Sequence, residues 1–366
     1  MDPSEVSREQ QKLPPHSHNS NAGVDQGDDD SDAIPADQGD DPQPTPTPTQ
    51  TVTPTPTPTP GINTIDEALK VIQEADIKTA LTYLASPELA GRETGSEGQE
   101  KAADFIVKAF LEAGVKPAVS GSFFQPFSGG GKNVIGMLEG NDPSLKSQYV
   151  IIGAHYDHLG GDSGGTYYPG ADDNGSGTVS VMFAAKVIGQ LKHKIKRTVL
   201  FMAFSGEEKG LVGSEFYVDN PIFPLKDTIY MINLDMVGYL DKGELSFLGG
   251  QNSQYAASLM DQVMRKYPKV KAEVTGSAGG GSDHVGFISK NIPACFMHTG
   301  MGGGVYHQPT DTADKIDYPG LTNVAKMGIE LLWALDQGSE RPMVDSYMNI
   351  ITDAEKLDHG IAPFRD

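Results

Sequence analysis

The stretch Tyr149-Val150-Ile151-Ile152-Gly153-Ala154-His155-Tyr156-Asp157-His158-Leu159-Gly160 decides the fold, together with Pro169-Gly170-Ala171-Asp172-Asp173-Asn174-Gly175-Ser176-Gly177-Thr178 downstream of it. Val150 to Ile152 is an apolar run that stops at Gly153, so it reads as a buried strand. His155 and Asp157 follow. Alternate residues on an extended chain point the same way, so this imidazole and this carboxylate can share a site. After a Gly-rich loop, Asp172-Asp173-Asn174 leads into a helix at about Gly177. A buried strand ending in His and Asp, then a carboxylate at a helix mouth, is half of a metal site.

The rest of the chain supplies strands and helices in alternation. Asp66 to Leu84 predicts a helix with Ala68, Leu69, Ile72, Ala75 and Ile77 on one side. Ser96-Glu97-Gly98-Gln99 resembles a capping box, and the helix after it turns Ala102, Phe105, Ile106, Ala109, Phe110 and Ala113 inward until Gly114 stops it. Strands are expected at Asn133 to Leu138, Tyr149 to Ala154, Arg197 to Phe204, Ile229 to Leu234, Glu244 to Leu248 and Pro293 to Met297. Helices are expected at Thr178 to Leu191, Leu211 to Val218, Tyr255 to Tyr267 and Leu321 to Asp336, the last carrying Trp333. The plan is α/β, a single domain with a mixed, largely parallel central sheet flanked by helices on both faces. In such sheets, sites form beyond the carboxyl ends of the strands.

The chain has 366 residues and a formal net charge of −21, which argues against nucleic acid or an anionic membrane as partner. No apolar stretch reaches the ~18–20 residues of a membrane span. Residues 1–61 read as a disordered linker: 1–60 hold 11 acids and 2 bases, few aliphatics, and a closing Thr-Pro alternation that makes a stiff, extended spacer. Residues 62–338 are the expected folded domain and 339–366 a C-terminal tail, in which Val344 to Leu357 has the makings of a short helix. Met1-Asp2-Pro3-Ser4-Glu5 lacks the apolar core of a secretory signal. The spacer nevertheless suits a domain held away from a cell surface. The one cysteine, Cys295, excludes an intrachain disulfide and reads as a small core residue.

Each buried strand ends in metal-binding residue types. His155, Asp172, Glu208, Asp235 and His307 arrive at one edge of the sheet. Two imidazoles and three carboxylates suit Zn²⁺, with Mn²⁺ or Co²⁺ as alternatives. A shared carboxylate would divide them into two sites, paired cations lying ~3.5–4 Å apart. Glu207 and Glu208 are neighbours, so one can bind metal while the other faces the water as a general base. His158 is read as structural. Phe287, Ile288, Phe296 and Met301 are candidates for an apolar substrate pocket, with core the equal alternative for Phe296.

Five motifs together resemble peptidase family M28, the co-catalytic zinc aminopeptidases. They are His155-Tyr156-Asp157, Ala171-Asp172-Asp173-Asn174-Gly175-Ser176-Gly177, Ser205-Gly206-Glu207-Glu208, Asn233-Leu234-Asp235, and Tyr306-His307 through Asp311-Thr312. The resemblance covers about residues 64–337. It implies two zinc ions bridged by Asp172, with His155 and Asp235 completing one site and Glu208 and His307 the other. It implies Glu207 as general base towards a water between the metals, Asp157 as the residue orienting His155, and Tyr306 as a donor to the scissile carbonyl. It also implies a cis peptide after the bridging aspartate, at Asp172–Asp173. The implied protein is a monomeric exopeptidase acting on peptides with a free N-terminus, extracellular or tethered to the cell surface. Carboxypeptidases and dipeptidases of the family usually carry an inserted domain, and the roughly 57 residues between Met236 and Pro293 are too few for one. Glutaminyl cyclases use one zinc, and receptor-like relatives lose ligands; a full set of five argues against both.

Overall fold

The computed structural model describes residues 62–345, apart from 162–163, 241–243, 278–279 and 302–303. The N-terminal linker, and the tail beyond Asp345 with most of its expected helix, lie outside the described residues.

Among the described residues, strands form at all six apolar runs expected to carry one, and three short strands form outside them. They are β1 (Lys116–Pro117), β2 (Phe124–Pro126), β3 (Lys132–Leu138), β4 (Tyr149–His155), β5 (Thr198–Phe204), β6 (Thr228–Leu234), β7 (Glu244–Leu248), β8 (Lys271–Val274) and β9 (Ala294–His298). Among the described residues they make one sheet in the order β1-β3-β5-β4-β6-β9-β7-β8, with β2 on β3. Its centre, β5-β4-β6-β9, is parallel. β3 joins β5, and β7 joins β9, antiparallel. The sheet is therefore mixed, with its parallel part concentrated where the site is.

Residue alternation splits the core in two. Val150, Ile152 and Ala154 face one cluster, and Ile151 the other. The larger cluster is covered by α2 (Glu74–Leu84), α3 (Glu97–Glu112), α4 (Gly177–Gln190), α6 (Gln254–Lys266) and α8 (Tyr318–Gln337). The smaller is covered by α5 (Val212–Asp219) and α7 (His284–Ser289). β5 and β6 are buried at every position, as strands sandwiched between helix layers must be.

The expected helix from Asp66 to Leu84 is broken. A short helix, α1 (Ile65–Ala68), passes through a 3₁₀ turn to Ile72 and Gln73, both extended, before α2 begins. The break resets the helical phase. Ile72 and Ile77 stay buried, but Ala75 faces solvent. At α3, Ser96 caps the amide of Gln99 as expected. The Gln99 side chain departs from the capping box: it accepts from Gly95 N–H and donates to Ser205 Oγ, tying this helix start to the end of β5.

Chain order places the site. From β4 the chain moves to β5 on one side, then returns to β6 on the other. The carboxyl end of β4 is thus a topological switch point, where a crevice must open between diverging connections.

Cys295 is fully buried in β9, and burial pushes its thiol up to about 12. A thiol held protonated is a poor nucleophile. Alkylation by iodoacetamide at pH 8 should therefore be negligible in the native protein and rapid in denaturant. Fast native labelling would contradict the packing of β9.

Candidate metal centre

His155 is the last residue of β4, and Asp235 follows the end of β6. Glu207 and Glu208 lie just past β5, and His307 lies on the loop after β9. The side chains converge. His155 Nε2 is 3.3 Å from Asp173 Oδ1, 3.3 Å from Asp235 Oδ1 and 4.0 Å from Glu207 Oε2. His307 Nε2 is 3.2 Å from Asp173 Oδ2 and 3.0 Å from Glu208 Oε2.

One expected ligand is not in this group. Asp172 turns away: its Oδ1 accepts from Gly238 N–H at 2.7 Å, and its carbonyl from Ser176 Oγ–H. Asp173 takes the position between the two imidazoles, and the cis peptide is Asp173–Asn174 rather than Asp172–Asp173. Sequence offers two adjacent carboxylates, and only the backbone path decides which of them enters the crevice. That path is set by Gly170, at φ 56°, where a Cβ would lie 2.2 Å from the Asp173 carbonyl and 2.5 Å from the His158 ring. Asn174 completes it, donating to Leu234 O and accepting from Gly177 N–H at the start of α4.

The remaining atoms of the group are tied so that one ligand atom is left over on each residue. Asp235 Oδ2 accepts from Ser282 Oγ at 2.7 Å, and its Oδ1 has no hydrogen-bond partner. Glu208 Oε1 lies 2.6 Å from His158 Nδ1, leaving Oε2 towards His307. His155 Nδ1 faces the Asp157 carbonyl at 3.2 Å, closer than the Asp157 carboxylate at 3.7 Å, and its Nε2 is buried without a hydrogen-bond partner. A ring donating from Nδ1 presents the Nε2 lone pair inward. Two ligand atoms each ~2.0–2.1 Å from a tetrahedral zinc lie about 3.3 Å apart, and the separations above match that. The residues present fit divalent cations.

Asp157 holds more than the ring. Its carboxylate accepts from Thr94 Oγ–H at 2.8 Å and from Glu207 N–H at 3.3 Å, so it fixes the backbone beneath Glu207. Tyr306 is 38% exposed and stacked on His307, at 3.8 Å between centroids. Phe287 does not line a pocket; it is core, packed on Phe204 and Tyr217. Phe296 is core too, while Met301 is exposed. The sequence pattern did not single out Asp173 as the inserted carboxylate; His158, read as structural, is buried with its Nδ1 against Glu208, a contact no local pattern announces.

The electrostatics reflect crowding. Burial pushes the Glu207 carboxyl up to about 10; the His155 charge opposes this, and Asp235, Asp283 and Glu208 add to it. Burial alone would lower His307, but Asp173 and Glu208 raise it to about 10. Asp173, despite burial, is lowered by its bonds with both imidazoles. Near neutrality the metal-free group thus holds protons that a bound cation displaces.

The geometry suits a divalent cation at the switch point of a mixed α/β sheet. The model of peptidase family M28 matches residues 133–332, more than half of the chain, and the chain belongs to that family. A probable leucine aminopeptidase of Arthroderma otae is 28% identical over 204 residues, 53% of this chain and 56% of that protein. A leucine aminopeptidase 1 of the same organism is 30% identical over 200 residues, 50% of this chain and 54% of that protein. The chain spans about half the length of these curated relatives. The crystal structure of the aminopeptidase LapA of Legionella pneumophila shares the fold, with a TM-score of 0.63 at 24% identity over 75% of each chain.

Two outcomes are expected. Asp173→Asn should lower zinc affinity at least a hundredfold, while Asp172→Asn should change it less than tenfold; calorimetric titration of both separates them. Zinc added to metal-free protein at pH 7 should release protons, so its binding enthalpy should vary with the buffer's ionisation enthalpy, and affinity should fall as pH falls.

Proposed function

We propose that this protein is a metal-dependent aminopeptidase that uses two divalent cations, zinc first and Mn²⁺ or Co²⁺ as alternatives, to hydrolyse the N-terminal bond of peptides. The observation that carries this is the single carboxylate of Asp173 turned with one oxygen to each of two imidazoles. His155, Asp173 and Asp235 would hold one cation, and His307, Asp173 and Glu208 the other. Bound there, zinc supplies a Lewis acid for the scissile carbonyl and a water acidified towards neutrality.

The chain's own residues do the rest. Glu207, at 4.0 Å from His155 Nε2 and with its backbone held by Asp157, is placed to take the water's proton and return it to the leaving amine. Its high pKa in the metal-free group falls when cations neutralise the neighbouring carboxylates, which leaves it ionised for that task. Tyr306 has its pKa raised by burial and by the nearby acids, so its hydroxyl stays protonated and can donate to the developing oxyanion. The relatives' name, leucine aminopeptidase, supports an apolar first residue in the substrate. A free N-terminus on the substrate, action as a monomer and an extracellular or surface-tethered setting complete the proposal. Sedimentation tests the second of these and fractionation the third.

A strong chelator should abolish release of the first residue from aminoacyl amides, and zinc should restore it. Glu207→Gln should keep both cations while kcat drops about 10²–10⁴-fold. Loss of zinc from that variant would mean that Glu207 and Glu208 have exchanged roles. Cleavage of N-acetylated substrates at the rate of free ones would point to an endopeptidase or amidase instead.

A further inference from the structure

Two buried ions beside the site have no part in the chemistry just proposed. Arg92 and Asp311 are 1% and 0% exposed. Between them they hold residues 169–173, which lie outside the strands of the sheet. Arg92 donates from Nη1 to Pro169 O at 2.8 Å and from Nη2 to Gly170 O at 2.9 Å. Ala171 N–H donates to the Asp311 carbonyl at 3.2 Å. Asp172 N–H is 3.0 Å from both Asp311 carboxylate oxygens, and Asp173 N–H donates to Oδ2 at 3.1 Å. A cation thus grips the carbonyls that enter this segment, and an anion grips the amides that leave it.

Each clamp is also tied to the chain beside one imidazole. Arg92 Nε donates to the carbonyl of Tyr156, the residue between His155 and Asp157. Asp311 lies four residues beyond His307 on the same loop. The planar guanidinium fork and the carboxylate each make several charge-assisted bonds at once, which fixes direction as well as distance. Asp173 is therefore indexed to His155 through Arg92 and to His307 through Asp311.

We propose that Asp311, with Arg92 as its counterpart, is a positioning residue that sets the separation of the two cation sites by fixing Asp173 between His155 and His307. The inference rests on the two-cation reading. Asparagine at 311 would turn an NH₂ group towards two amide donors, and lysine at 92 would keep the charge but lose the fork.

The test uses metal-free protein titrated with Co²⁺, comparing the parent with Asp311→Asn and Arg92→Lys. The readouts are calorimetric affinities for the first and second cobalt, the paramagnetic-resonance signature of coupling between the two ions, and far-ultraviolet circular dichroism. A folded variant should bind the second cobalt at least tenfold more weakly and show altered coupling. A merely structural residue would lower the melting temperature of the metal-free protein and leave the cobalt spectrum unmoved. Any folded variant with the parent's two affinities and spectrum overturns the proposal. So does failure of both variants to fold, which would make the pair struts of the fold. A parent that takes up one cobalt contradicts the two-cation reading itself.

Discussion

One carboxylate facing two imidazoles is the constraint on which the rest of this structure depends. Asp173 stands between His155 and His307, with Glu207, Glu208 and Asp235 around it. Two like charges ~4 Å apart repel by about 4 kcal/mol at an effective dielectric near 20, and several such pairs meet here. Without cations the group can persist only by holding protons, which is the direction in which Glu207 and His307 are displaced. A divalent cation bound there would relieve the same crowding. Side-chain geometry directs it: hydrogen bonds occupy Asp235 Oδ2 and Glu208 Oε1, so Oδ1 and Oε2 are left for a cation.

Holding that arrangement costs backbone strain. Arg92, Met236 and His307 all have positive φ, at 50°, 53° and 54°, and each lies in or next to the site. Non-glycine residues in that region cost about 1–3 kcal/mol apiece. The sheet offsets the cost. β4, β5 and β6 are nearly all buried, and each fully buried Ile, Leu or Phe contributes about 1.5–3 kcal/mol. A rigid central sheet with strained turns at its carboxyl edge is how one fold combines stability with a fixed ligand geometry.

The parallel core was legible because strands buried on both faces write themselves as unbroken apolar runs, as in Val199 to Phe204. The family was legible because its motifs sit at strand ends in a fixed order. Features decided by direction rather than composition were not. Asp172 and Asp173 are chemically identical, and which one enters the crevice depends on Gly170, Asn174 and the clamp from Asp311. Lys271-Ala272-Glu273-Val274 forms the edge strand β8 with a polar, short pattern that carries no strong strand signal. The six residues of α7 are too few for helical periodicity to show. Ile72 has a helix-compatible neighbourhood, yet it and Gln73 are extended.

The most direct measurement is an anomalous difference map from crystals of the zinc-loaded protein, collected at the zinc edge. Two peaks about 3.5–4 Å apart, with the Asp173 carboxylate between them and His155 and His307 on opposite sides, are the predicted result. A single peak, or a pair spanned by Asp172, would contradict the account.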